Sequence, residues 1–200
     1  MKWRSLDRHF HTGSDFDPYQ EEFMVATPSR NMETTHRFYP TRIDLPADVR
    51  SQVTELLNQT LAATIDLKSQ TKQAHWNVKG MDFYQLHELF DEMATELEEY
   101  VDMVAERVTA LGGTAMGTLR IAAADSILPE YDLDAVEGAE HVTALAERFG
   151  AYAKHVRDGI DKTDELGDAD TADLYTEISR TVDKRLWFLE AHLVKKSDLK

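Results

Sequence analysis

The segment from residue 72 to 108 holds His75, His87, Asp91, Asp102 and Glu106, side chains of kinds that bind metal ions. His87 and Asp91 are four residues apart, and so are Asp102 and Glu106. On a helix each such pair shares one face, about 6 Å apart along the axis. At 100° per residue the four positions fall at roughly 0°, 40°, 60° and 100° relative to His87, which makes one stripe. Asp91 and Asp102 are nevertheless separated by about 16 Å of helix, whereas metal–ligand bonds are only about 2 Å long. One ion cannot touch both pairs on the same helix. Either there are two half-sites, or two copies of the helix meet antiparallel. A two-fold axis would set the histidine pair of one chain against the carboxylate pair of its mate, twice. The stripe therefore points to an isologous dimer with two equivalent metal centres. Imidazole mixed with carboxylate suits iron, manganese or zinc better than calcium or magnesium. The plainer reading is a solvated helix face. Against it stand the apolar neighbours Trp76, Phe83, Leu86, Phe90, Val101 and Val104. Buried His and Asp need partners, and a metal is one.

The elements that must carry this stripe are helical. Apolar positions recur at three- and four-residue spacing in four long stretches. The first is expected from about Ala47 to Trp76, after Pro46 and with Asp48 near its start. The second runs from about Asp82 to Leu111 and stops at Gly112-Gly113, a C-cap signal. The third is expected from about Asp134 to Asp164 and the fourth from Thr171 to Val194. A short helix over Leu119–Ala124 interrupts the long connection between the second and third. Four long helices with one long central connection make an all-α bundle with a crossover, as in ferritin-like folds. Residues 1 to 46 hold four of the five prolines and no sustained helical period, and read as an extended N-terminal arm. The bundle is expected over residues 47–200.

Composition narrows the chemistry. The chain has no cysteine, which removes disulfides and thiolate metal sites. No apolar run approaches the roughly 20 residues of a membrane span, and the first residues are too polar for a secretory leader. The expected location is the cytoplasm, with nucleoid association left open. The formal net charge is −15. The arm is near neutral, so almost all of that charge sits in the body. An acidic surface attracts cations and repels nucleic acid, although simple solubility explains it as well. Gly112-Gly113 follows a helix rather than a strand, so it reads as a cap and not as a phosphate loop.

The motifs H-W-N-V-K-G (75–80), FYQLHELFDEM (83–93) and DMVAERVTALGG (102–113) closely resemble the Dps family, the DNA-binding proteins from starved cells. LPEYDLD (128–134) and TADLYTEISRTVDKRLWFLEAHL (171–193) resemble that family's third and fourth helices, so the likeness covers roughly residues 48–195. The resemblance implies a ferritin-like four-helix bundle in a homo-oligomeric, twelve-subunit shell. Each two-fold interface would hold a ferroxidase centre. His75, His87 and Asp91 would come from one subunit, and Asp102 and Glu106 from its partner. Asp102 and Glu106 would be the strongest permanent ligands. Long-chain ferritins instead place Glu-x-x-His motifs inside each bundle. Here the only such motif is Glu33 to His36, in the arm.

The implied function is iron storage and detoxification. Fe2+ would be oxidised to Fe3+ with hydrogen peroxide, or with oxygen, and the ferric product stored. Zinc is a further candidate occupant. The alternatives are a zinc- or manganese-binding shell and a nucleoid-associated structural protein without ferroxidase activity. Trp76, beside the centre in sequence, reads first as core packing and second as a radical trap. Asp161, Asp164, Glu165, Asp168, Asp170 and Asp173 crowd the junction before the fourth helix, a solvated turn or an acidic pore that draws Fe2+ inward. DNA binding is expected to be weak or absent: the arm has more acids than bases, and Lys195, Lys196 and Lys200 form only a small basic cluster. His9, His11 and His36 could form an auxiliary metal site.

Overall fold

The structure, a computed structural model, describes residues 37–195. Its helices are α1 (Ala47–Asn77), α2 (Phe83–Ala110), α3 (Leu119–Asp125), α4 (Gly138–Glu165) and α5 (Ala169–Leu193). The described residues contain no strand, and Lys79 and Glu137 form an isolated parallel bridge. None of these helices is long and apolar enough to cross a membrane.

The apolar stripes meet in one core. Leu57, Leu61, Phe90, Phe149, Tyr152 and Tyr175 are all essentially inaccessible to solvent. α1 packs along α2, α4 along α5, and both α3 and α4 lie against α1. The directions follow from the ends. The backbone N–H of Lys79, just past α1, donates to the carbonyl of Val136, just before α4. At the opposite end, Arg50 near the start of α1 donates to the Leu111 carbonyl past α2. Arg107 in the last turn of α2 is paired with Asp168, the N-cap of α5. α2 and α4 therefore start at the same end and run parallel. The chain from Leu111 must return the length of α2, about 42 Å for its 28 residues. This is the long crossover, with α3 lying on it.

The end of α2 shows why glycine stands there. Gly112 has φ +91°, and a Cβ on it would strike the Tyr39 carbonyl. The Gly113 N–H reaches back to the Val108 carbonyl and closes the cap. Residues 37–46 are non-helical, as the prolines indicate. They lie on this end of the bundle: the Tyr39 N–H donates to the Gly112 carbonyl at 2.7 Å, and Ile43 and Leu45 pack on the core. Residues 1–36, with His9, His11 and His36, lie outside the described residues, as do Lys196 and Lys200.

Two helix starts differ from expectation. α4 begins at Gly138, not near Asp134, because Glu137 and Glu140 form a capping box there. α5 begins two residues before Thr171, because Asp168 accepts from the Thr171 N–H and Oγ1.

Candidate metal centre

His75 lies in the last turn of α1 and His87 in the first turns of α2, across the short turn formed by residues 78–82. Gly80 gives that turn the positive φ it needs, +106°. The His75 carbonyl is among the last four of α1, which have no partner within their own helix. The His87 Nδ1 lies 2.9 Å from it, and the His75 Nδ1 lies 2.8 Å from the His87 carbonyl. A carbonyl only accepts, so both Nδ1 atoms carry hydrogen and donate. In the neutral rings this leaves each Nε2 with a free lone pair, which is the tautomer a metal ligand requires. The rings stack with centroids 3.8 Å apart and planes at 18°. Two imidazoles are thus fixed in place by backbone bonds.

Asp91, one helical turn beyond His87, brings its Oδ1 to 3.9 Å from the His75 Nε2. The His75 side chain is 11% exposed and that of Asp91 52%, so the group opens onto the surface. Lys72, one turn before His75, places Nζ 2.5 Å from the same Asp91 oxygen. The Lys72 ammonium, as hydrogen-bond donor and as charge, holds the Asp91 carboxyl below its ordinary value of 3.8. Asp91 is therefore a carboxylate at neutral pH, and Lys72 stands where a divalent cation would be attracted. Sequence reasoning missed Lys72. Its signal was a basic residue three positions before His75, on the same helix face.

The structure brings His75, His87 and Asp91 together. It does not bring Asp102 and Glu106 to them: both are exposed on α2, more than two turns further on. Among the described residues of a single chain, no three His, Asp or Glu side chains are arranged as a finished metal site. Trp76 does not pack in the core of its own chain; it is 64% exposed, beneath the Lys72 ammonium at 5.8 Å from its ring centroid. Met81, Phe83 and Tyr84 are also exposed beside the histidines, so the group sits in an apolar rim.

The acidic junction before α5 is not uniform. Asp168 is buried and bound by Thr171 and by the Arg107 Nη2 at 2.6 Å, a capping role. Glu165, paired with Lys162, is exposed, as are Asp161, Asp164, Asp173 and Asp170, whose Oδ2 lies 3.9 Å from the Arg107 Nη1.

A family model described as a ferritin-like domain matches residues 54–197. A DNA protection during starvation protein from Agrobacterium fabrum is 47% identical, over 82% of this chain and 99% of its own length. The solved structure of DpsC from Streptomyces coelicolor superposes with a TM-score of 0.76 at 35% identity, covering 80% of this chain and 93% of that one. A Dps protein from Vibrio cholerae O1 is described as a member of a broad superfamily of ferritin-like diiron-carboxylate proteins. It superposes at 0.71 with 27% identity, over 75% of this chain and 94% of its own. A ferritin-like bundle carrying this histidine–carboxylate stripe, matched over nearly the whole length of such relatives, belongs to the Dps family of ferritin-like proteins.

Proposed function

We propose that the protein takes up Fe(II), oxidises it at centres shared between two subunits and stores the ferric product in a closed homo-oligomeric shell of twelve chains. The observation that carries this reading is the pair of imidazoles whose Nδ1 hydrogens are spent on backbone carbonyls, beside an ionised Asp91 and in an apolar rim. The site is only half furnished in one chain. Antiparallel pairing of two copies brings up Asp102 and Glu106 of the partner subunit to complete it.

In this reading iron is the substrate. Asp102 and Glu106 of the partner subunit are the tighter ligands, because hard carboxylate oxygens favour Fe(III). His75, His87 and Asp91 close the other side. The Lys72 ammonium leaves Asp91 as Fe(II) arrives, so one cation replaces another. Trp76, Phe83 and Tyr84 exclude water when the partner covers them. Two Fe(II) ions give one electron each to hydrogen peroxide. The O–O bond breaks, two protons are taken up, and two waters form without free hydroxyl radical. Molecular oxygen is the slower oxidant. The exposed Asp161, Asp164 and Asp173 draw Fe(II) toward a pore in the shell. DNA is bound weakly or not at all, since twelve chains of −15 carry about −180 in total. Residues 37–46 lead into the bundle, with Ile43 and Leu45 packed on its core, and the working compartment is the cytoplasm.

The test is stopped-flow oxidation at two Fe(II) per centre in anaerobic buffer. Fast oxidation with one peroxide consumed per two iron supports the reading. A rate no higher than in protein-free buffer would overturn it.

A further inference from the structure

The bundle core holds three buried tyrosines, Tyr100, Tyr152 and Tyr175, and each phenol is hydrogen-bonded to a threonine. Their surroundings differ in one respect. The Tyr152 hydroxyl lies 2.6 Å from Thr64 Oγ1, but that threonine donates its own hydrogen to the Thr60 carbonyl, where the chain of bonds stops. The Tyr100 hydroxyl donates to Thr181 Oγ1 at 2.7 Å, and no further side chain continues that path. The Tyr175 hydroxyl lies 2.7 Å from Thr60 Oγ1, whose single hydrogen has two acceptors in reach, the Leu56 carbonyl at 3.0 Å and the Nε2 of His155 at 2.9 Å. Of the three phenols, only Tyr175 is connected to a base, and His155 is half-buried, between the core and the surface of α4.

The place matters too. Lys68 paired with Glu98, and His75 with His87, set the antiparallel register of α1 and α2. Eight residues further from the turn than Lys68 and Glu98, that register sets Thr60 opposite Glu106. The Thr60–Tyr175 contact therefore lies one helix layer behind the carboxylate half-site, with about 8–10 Å between packed axes.

We infer that Tyr175 is a redox-active tyrosine that supplies an electron to the iron centre when only one Fe(II) is present, with Thr60 as proton relay and His155 as proton acceptor. The iron part of this inference rests on the ferroxidase reading above. With one Fe(II), peroxide lacks its second electron. Fe(II) gives one, the Tyr175 phenol gives the other, the O–O bond breaks and two waters form. Both protons for those waters come from solvent. The Thr60 hydroxyl turns its hydrogen from the Leu56 carbonyl to His155 Nε2 and passes it on as the phenolic proton passes to Thr60 Oγ1, leaving a neutral tyrosyl radical. Burial pushes the Tyr175 phenol up, so it does not ionise beforehand and the proton must leave with the electron. Burial also holds His155 below 6.5, so its imidazole is neutral at pH 7 and free to accept. A tyrosine that merely satisfied its own hydroxyl would need no path beyond Thr60.

The test is freeze-quench electron paramagnetic resonance on the assembled full-length protein, given one Fe(II) per centre and then hydrogen peroxide. A tyrosyl signal is expected that falls at least tenfold in Tyr175→Phe and persists in Tyr152→Phe. Thr60→Val and His155→Phe keep the phenol but slow radical formation. A second arm uses metal-free protein oxidised by flash-generated ruthenium(III) tris-bipyridine. There the Tyr175-dependent part of the signal should slow in Thr60→Val and in D2O. A Tyr175-dependent signal in the metal-free arm without one in the iron arm would count against the iron chemistry and uphold the relay. A signal unchanged in Tyr175→Phe in both arms, in variants that still assemble, would overturn the inference.

Discussion

At the scale of single residues, the site histidines have little freedom. Each ring is held by a backbone carbonyl through Nδ1, so each offers only Nε2 outward. Losing an outer partner of a metal ligand typically costs about 10–100-fold in affinity or activity. His87→Gln removes the ligand itself, and should slow peroxide-dependent Fe(II) oxidation at least tenfold by stopped-flow. An unchanged rate would remove His87 from the centre. Lys72 has the opposite effect. It competes with the incoming cation for Asp91, so Lys72→Met should tighten binding of a redox-inert divalent ion such as Zn(II). An exposed ion pair is worth only about 0.2–1 kcal/mol, so titration calorimetry should show a gain of roughly two- to fivefold. Weaker binding would mean that Lys72 positions Asp91 rather than blocking it. The stripe of His87, Asp91, Asp102 and Glu106 was legible in the sequence, because helix period alone puts these four on one face of α2; His75, on α1, was indicated only by the resemblance. The role of Lys72 was not, since a lysine beside such a motif looks like any solvated charge until its ammonium is seen on Asp91. Nor was the exposure of Trp76 legible, because periodicity does not tell a core face from one left for a second chain.

At the scale of elements, the helices follow from their apolar spacing, and the misplaced starts follow from caps. Glu137 and Glu140 close the start of α4 with carboxylates, where Ser or Thr is the usual first residue of such a box. Asp168 had been grouped with the pore acids, but it is a buried cap paired with Arg107. Arg107→Met would leave that carboxylate without its cation. The expected loss is about 3 kcal/mol, visible as a clear fall in thermal midpoint, with assembly and the histidine pair intact. A midpoint unchanged within error would show that Thr171 alone suffices for Asp168. Two histidines outside the centre set a pH dependence. Burial holds both His141 and His155 below the ordinary imidazole value of 6.5. The unfolded chain therefore binds more protons than the folded one once the pH falls below that value. By linkage, stability is full above about pH 6.5 and declines as the pH falls toward the folded values. Thermal melts of metal-free protein between pH 7.5 and 5.5 should show this decline, and it should flatten in a His141→Gln, His155→Gln variant. An equal slope in that variant would assign the loss to other groups.

At the scale of the whole molecule, the charge and the incomplete site have different consequences. With a formal −15 per chain, the proposed shell would repel a polyanion. Mobility-shift assays at neutral pH and low salt should show no retardation of duplex DNA; tight, salt-sensitive retardation would place a basic surface among residues 1–36 or 196–200. The incomplete site makes the sharper claim, that no chain oxidises iron alone. The most direct test of it is complementation. One variant carries His75→Gln and His87→Gln, the other Asp102→Asn and Glu106→Gln, and the two are produced separately and then together. Each alone has no intact centre. In a mixed two-fold pair, the histidines of one chain meet the carboxylates of the other, so one of its two centres is complete. With random pairing about a quarter of all centres are intact. The expected result is no accelerated Fe(II) oxidation for either variant alone and about a quarter of wild-type activity for the co-assembled mixture. A co-assembled mixture as inactive as its parents, or a parent as active as wild type, would contradict a centre shared between subunits.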